Sequence, residues 1–310
     1  MIGAFELGML YAVMALGVYL TFRVLNFPDL TVDGSFTTGG AVAASLIAMD
    51  TPPVLATLAG VGAGAVAGFV TGLLYTKGRI DGLLAGILTM IALWSINLRI
   101  MGVPNKPVAK ADGLFGPLVD LGMGKGPWII LIFFVGVLIL KAAIDWFLST
   151  DLGLAIQATG NNEQMIRSFG VNTHNTTILT LMISNGLVAG AGALVAQYQG
   201  YADISMGVGL ILIGLASVII GQAIFGNRTV LLATFGVIVG AVLYRLVIFA
   251  ALSVGLNPND MRLLSAIMVV IALLLPRLGV FSKRLPKGRL TKPPIPSPEG
   301  EARATTAAAK

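Results

Sequence analysis

The run Asp151-Leu-Gly-Leu-Ala-Ile-Gln-Ala-Thr-Gly-Asn-Asn-Glu-Gln-Met-Ile-Arg-Ser-Phe-Gly170 is a polar island between two apolar stretches, 127–147 and 175–197. Each flank has the ~17–25 apolar residues that a helix needs to cross a hydrocarbon layer. The island reads as a connection between two membrane helices, long enough to carry structure of its own. Gly160 is expected to break the segment before it, and Asn161 to cap a new helix with Glu163 in its first turn. Gly170 then supplies a left-handed stop. Between those ends lie about two turns, with Met165, Ile166 and Phe169 on one side and Glu163, Gln164, Arg167 and Ser168 elsewhere. So short a helix is marginal alone and needs something to pack against. A soluble partner and an ordinary interfacial loop helix both fit the pattern.

Working outward, hydropathy divides the chain into apolar stretches at about 4–25, 35–49, 54–76, 82–101, 127–147, 175–197, 205–225, 229–252 and 262–276. The second and last are short, which allows tilted, re-entrant or broken helices. Regions 102–126 and 148–174 are the long connections. A Pro-rich charged tail, 282–310, is expected to be disordered beyond a membrane domain of 1–281. The composition agrees: 56% of the 310 residues are hydrophobic, 11% are charged, and the mean hydropathy is +0.90. Soluble domains run near ~25% charged, so a soluble enzyme, a disordered chain and a nucleic-acid binder are excluded. The absence of cysteine excludes thiolate catalysis, Cys-ligated zinc and disulfides. The expected class is an all-α polytopic membrane protein of about 8–10 membrane helices, some short or broken.

The net charge of +6 belongs to one segment. From Arg277 to Lys310 there are eight Lys or Arg against two acids, Glu299 and Glu301, while the body before it carries 12 of each sign. A basic tail beside a last apolar segment reads as a cytoplasmic terminus near anionic membrane lipid. That choice also puts Arg23, Lys77, Arg79, Lys141, Arg167 and Arg228 inside. It leaves Arg99, Lys106, Lys110, Lys125 and Arg262 outside, and Arg245 in the membrane. Met1-Ile-Gly-Ala-Phe-Glu6 lacks a basic start and a small-residue cleavage site, and is expected to be a retained first helix.

Other residues suggest roles within the membrane. Gly60, Gly64, Gly68 and Gly72 form overlapping GxxxG steps, repeated at Gly186–Gly190 and Gly236–Gly240, that let backbones approach closely. Packing within one subunit and packing between subunits both fit. In Asn26-Phe-Pro-Asp-Leu-Thr-Val-Asp-Gly-Ser35, Pro28 interrupts a helix, and Asp29, Asp33 and Ser35 are cap-forming types before the next apolar run. This is either a broken helix whose free N-terminus lines a pathway, or a plain turn. Leu256-Asn-Pro-Asn-Asp260 is a faint echo of it. Arg245 lacks an acid within a turn and must find the pathway, water or backbone carbonyls. Asn185, Gln197 and Gln199 suit interhelical hydrogen bonds or substrate contact, and His174 is expected to be a solvated helix-end residue. No metal-ligand spacing and no carboxylate pair for acid–base catalysis is present.

The run Leu152–Met165 with Ser168-Phe-Gly-Val-Asn-Thr173 resembles the coupling loop of ABC-importer permeases, close to the branched-chain amino acid and ribose permease superfamily. Asn26–Phe36, Ser184-Asn-Gly-Leu-Val-Ala-Gly-Ala-Gly-Ala193 and Gln197-Tyr-Gln-Gly-Tyr-Ala-Asp203 with Gly207-Val-Gly209 fit the same group. They are most similar to a branch associated with amino acid uptake, including aromatic ones. The resemblance covers about residues 1–280 and implies a type II importer permease in a bacterial inner membrane. It implies two permease subunits, identical or sister, around a central pathway, with two ATPase subunits docked on the coupling helices. An extracytoplasmic binding protein would deliver substrate. The coupling residues would be Gly160, Asn161, Asn162, Glu163, Gln164, Met165, Arg167, Phe169 and Gly170, and the pathway would draw on Asn26, Asp29, Asp33, Ser35, Asn185, Gln197 and Arg245. Independently, the chain has no G-x-x-x-x-G-K-[ST], and Gly122-Met-Gly-Lys-Gly126 lacks the spacing and hydroxyl to hold phosphate and magnesium. ATP and magnesium are therefore expected on a partner, with no cofactor and no catalytic residue here. An ion-coupled secondary transporter is the main competing class, and it would favour acids deep in spans, where only Glu6 is placed. A membrane-embedded enzyme would need a paired nucleophile and base.

Overall fold

The computed structural model describes residues 2–109, 113–116, 127–226, 229–255 and 260–274. The tail 282–310, the strings at 122–126 and 256–259, and Arg228 lie outside the described residues. In chain order, α1 (Ile2–Tyr19) ends in a π-turn (Leu20–Val24), followed by α2 (Thr31–Ile47), α3 (Pro53–Thr76) and α4 (Gly82–Met101). After β1 (Asn105–Pro107) come α5 (Pro127–Ser149), α6 (Asp151–Asn161), α7 (Glu163–Ser168) and α8 (Thr173–Gln199). Then follow β2 (Tyr201–Asp203), α9 (Leu210–Phe225), α10 (Val230–Ser253) and α11 (Met261–Leu274). Among the described residues, six segments are long and apolar enough to cross a membrane: Ile2–Val24, Pro53–Thr76, Gly82–Met101, Trp128–Ser149, Thr173–Gln199 and Val230–Ser253. The chain is thus an all-α polytopic membrane protein, with shorter helices in α2, α9 and α11.

Helices α1, α2 and α8 occupy the centre, because their small residues let backbones touch. The glycine stripe of α3 packs onto α2 and α8 of the same chain. A Cβ at Gly64 would lie 2.4 Å from the Asn185 carbonyl oxygen, and at Gly68 2.2 Å from that of Leu181. Gly60 faces Gly39 and Ala193, and Gly72 faces Ile178. Only a hydrogen fits at such distances, so helix axes that ordinary side chains would hold 8–10 Å apart come closer here.

Four sequence boundaries need correction. Gly160 does not break a helix: α6 runs through it to Asn161, and the absent Cβ would lie 2.0 Å from the Val24 carbonyl oxygen. The glycine serves a close crossing with the end of α1. The cap of α7 is Asn162, not Asn161; its Oδ1 accepts a hydrogen bond from Met165 N at 3.0 Å. Finally, α2 starts at Thr31 rather than 35, and α9 at Leu210 rather than 205.

Helix α8 is 27 residues long, roughly 40 Å, and so defines two ends of the bundle. One carries α6 and α7; the other carries the antiparallel pair β1–β2, with Lys106 opposite Ala202. From β2 the chain turns back inward along α2. Ala202 packs in a cluster with Ala41, Ala44 and Ile47, Met206 lies against Gly40, and Gly207 lies against Asp33. The eight residues from Ala41 to Asp33 span roughly 12 Å of helix. α9 therefore begins part-way along the bundle, beside the first turn of α2, as a half-helix.

Candidate functional site

Helix α7 sits at a surface with little to hold it. None of its residues is buried, and Met165 and Phe169 are 54% and 72% exposed. A polar triangle fixes it to the start of α8. Glu163 Oε1 accepts from Arg167 Nη2 at 2.8 Å and from Thr173 Oγ1 at 3.0 Å, while Arg167 Nε donates to Thr173 Oγ1 at 3.0 Å. Arg167 Nη2 also lies 3.3 Å from His174 Nε2. The half-exposed ion pair is worth little as stability, so its visible effect is to orient α7. Gly170, at φ +86°, turns the chain, and Asn172 Oδ1 caps α8 by accepting from His174 N and Asn175 N. Together with the α3–α4 turn, these residues border a groove of about 930 Å³ lined by Tyr75, Lys77, Arg79, Asp81, Gln164 and Arg167 among others. The sequence reading missed the α3–α4 side of this groove, whose signal was its pair of basic residues. Asn161 and Gly160 instead line a second, polar hollow with Arg23, Asn26 and Gln157, of about 470 Å³.

The seven residues expected at the pathway fall into separate places. Asp29, Ser35 and Asn185 meet in a buried network. Asn185 Nδ2 donates to Asp29 Oδ2 at 2.7 Å and to the Leu181 carbonyl at 3.0 Å, and Ser35 Oγ donates to Asn185 Oδ1 at 2.7 Å. Asp29 Oδ1 accepts from Thr31 N at 2.9 Å, and Thr31 and Thr71 share a hydroxyl contact at 2.8 Å. The N-terminus of α2 is therefore already occupied by the chain's own carboxylate rather than free. In this conformation the three polar side chains face one another.

Asp33 does something else. Its Oδ2 accepts from Gly209 N and its Oδ1 from Ile211 N, both at 2.8 Å, so it caps the half-helix α9. Gln197 clamps the 113–116 segment: Oε1 accepts from Leu114 N at 2.9 Å, while Nε2 donates to Thr57 Oγ1 at 2.8 Å. Arg245 is half-buried and stacks on an aromatic ring. Its guanidinium carbon lies 3.7 Å from the centroid of the Tyr11 ring. A desolvated cation–π contact is worth about 2 kcal/mol, comparable to the ~2.5–3.5 kcal/mol insertion cost of Arg at a helix centre. Glu6 is buried and accepts a hydrogen bond from the Tyr198 hydroxyl. Among the described residues no group of three His, Cys, Asp or Glu is placed to hold a metal ion.

Comparison with known proteins fits this architecture. A tyrosine transport system permease protein of Clostridioides difficile (strain R20291) is 41% identical over 89% of this chain and 91% of its own length. An uncharacterized protein of Rickettsia prowazekii (strain Madrid E) is 34% identical over 88% and 96%. The ribose import permease protein RbsC of Escherichia coli (strain K12) is 26% identical over 85% and 81%. No solved structure matches the chain. Residues 1–274 match the model of the branched-chain amino acid transport system / permease component family. That match takes in every described helix, from the glycine-packed centre to the half-helix and the α6–α7 connection, and the chain belongs to that family.

Proposed function

We propose that this chain is the membrane subunit of an ATP-driven importer for an amino acid, with an aromatic one such as tyrosine as its substrate. The substrate reading follows the name of the 41% identical relative and its coverage of nearly the whole chain. ATP hydrolysis belongs to separate ATPase subunits, substrate arrives from an extracytoplasmic binding protein, and a second permease subunit completes the pathway. The α6–α7 end and the C-terminus face the cytoplasm, where the basic tail lies against anionic lipid. ATPase closure pushes on α7, and the bundle rocks between outward- and inward-open states while Asp29, Asp33, Ser35 and Asn185 repack beside the moving solute.

The observation that carries the ATPase contact is α7 itself: a six-residue helix with no buried residue, ending in Phe169 at 72% exposure. An exposed apolar ring beside a polar groove of about 930 Å³ gains most from a partner that covers it. Met165→Ala with Phe169→Ala removes those anchors and leaves the Glu163–Arg167–Thr173 brace intact. Co-purification with the ATPase is expected to fall at least tenfold, with the melting temperature of the isolated chain unchanged. Full ATPase association and transport-coupled hydrolysis in the double variant would overturn the assignment.

A further inference from the structure

A cavity of about 370 Å³ lies between α2, α4 and the inward-turning 204–209 segment, lined by Asp33, Thr37, Met90, Trp94, Asn97 and Val208 among others. Its polar groups are unbalanced. Asn97 is only 1% exposed, yet its Oδ1 has no hydrogen-bond partner. The orientation of that amide is set by Gly34, whose carbonyl can only accept and takes Nδ2 at 3.4 Å, so the oxygen must face away. A buried acceptor left unmade is costly, and native interiors rarely keep one without a reason. Asp33 lines the same cavity. Each of its carboxylate oxygens takes one backbone N–H from the start of α9 and retains further acceptor capacity. Asp33 forms no ion pair among the described residues. Thr37 turns its hydroxyl proton toward the Asp33 carbonyl at 3.3 Å, leaving its oxygen as another acceptor. Around these acceptors are Met90, Ile91, Ile204 and Val208, and the half-exposed indole of Trp94.

We infer that this cavity is a way-station that binds a primary ammonium carried on an apolar or aromatic body, with the ammonium between Asp33 and Asn97 Oδ1 and the body along Trp94. An ammonium brings three donors and no acceptor, the complement of what the cavity offers. The Trp94 face adds cation–π attraction. The volume is near the small end of ligand pockets, ~300–1,000 Å³, which suits a single amino acid. Among the described residues no basic side chain lines the cavity, so a substrate carboxylate gains nothing there. The assignment of the occupant as an amino acid rests on the proposed function; the ammonium site does not.

The test uses the full chain in lipid nanodiscs with Trp128→Phe and Trp146→Phe, which leaves Trp94 as the sole tryptophan. Its emission is followed, with excitation where tyrosine does not absorb, during titration with L-tyrosine, tyramine and phloretate. Tyrosine and tyramine are expected to give saturable changes, and phloretate, which lacks the ammonium, none. Asn97→Leu is expected to weaken tyramine at least about tenfold while the melting temperature holds or rises, since a buried unpaired acceptor has been removed. Asn97→Asp keeps an acceptor there and retains binding. Saturation by phloretate, or wild-type tyramine affinity in Asn97→Leu, would overturn the site. Binding of tyramine without tyrosine keeps the ammonium site and removes the amino acid reading. No binding of any probe, with chain-dependent amino acid uptake intact in cells, removes the site and keeps that reading.

Discussion

Asn185 uses both donors and its carbonyl oxygen inside the bundle, binding Asp29, Leu181 and Ser35 at once. A single amide thus ties the turn before α2, the body of α2 and the middle of α8. Replacing it with Leu leaves a buried carboxylate with one partner fewer. Hydrogen bonds to charged groups are worth about 1.5–3 kcal/mol, so Asn185→Leu should cost about that much, against about 1 kcal/mol for Ser35→Ala. Thermal unfolding in detergent checks the order; equal losses would show that Asp29 finds another partner. The sequence marked Asn185 as a polar residue at membrane depth and Asp29 and Ser35 as cap-forming types before an apolar run. It could not show that they meet, because Asp29 and Asn185 are 156 residues apart and the close glycine packing of α2 and α3 on α8 seats that part of the bundle. Asn97 went unnoticed for a related reason. One amide in the apolar span 82–101 carries no pattern, and its significance lies in an oxygen that has no partner.

At the scale of elements, the long helices were legible because span length and apolarity are local properties, and among the described residues six are long and apolar enough to cross. The breaks were less so. Asp33 caps α9 from 176 residues away, so the half-helix has no local cap signal; its N-cap is Gly209, with φ +82°. Gly160 looked like a stop because a glycine's missing side chain and its backbone freedom are indistinguishable in a sequence. Here the missing side chain is what counts. The inward segment gives a direct comparison of those two uses of glycine. At Gly207 a Cβ would lie 1.9 Å from the Asp33 carbonyl oxygen and 2.4 Å from Thr37 Oγ1. At Gly209 a Cβ meets nothing within 4 Å, and the cost is the left-handed backbone alone, roughly 1–2 kcal/mol. Gly207→Ala is therefore expected to lower the melting temperature and uptake more than Gly209→Ala. The reverse order would mean that the segment does not pack against α2 as described.

For the whole molecule, the fold arranges two ends around a tightly packed centre: an end with the β1–β2 pair and the inward-turning half-helix, and an end where α7 projects with its apolar residues uncovered. Rigid glycine packing of α2, α3 and α8 suits a body that moves as a unit when force enters at α7. Family membership covers residues 1–274, and the proposed transport rests on ATP supplied by a partner. The most direct measurement is uptake of radiolabelled L-tyrosine by cells carrying this chain together with its ATPase and binding protein. Uptake should require all three, persist when a protonophore collapses the membrane potential while ATP is maintained, and yield to unlabelled L-tyrosine but not to ribose. Uptake that survives loss of the ATPase and disappears with the membrane potential would contradict the importer and point to ion-coupled transport.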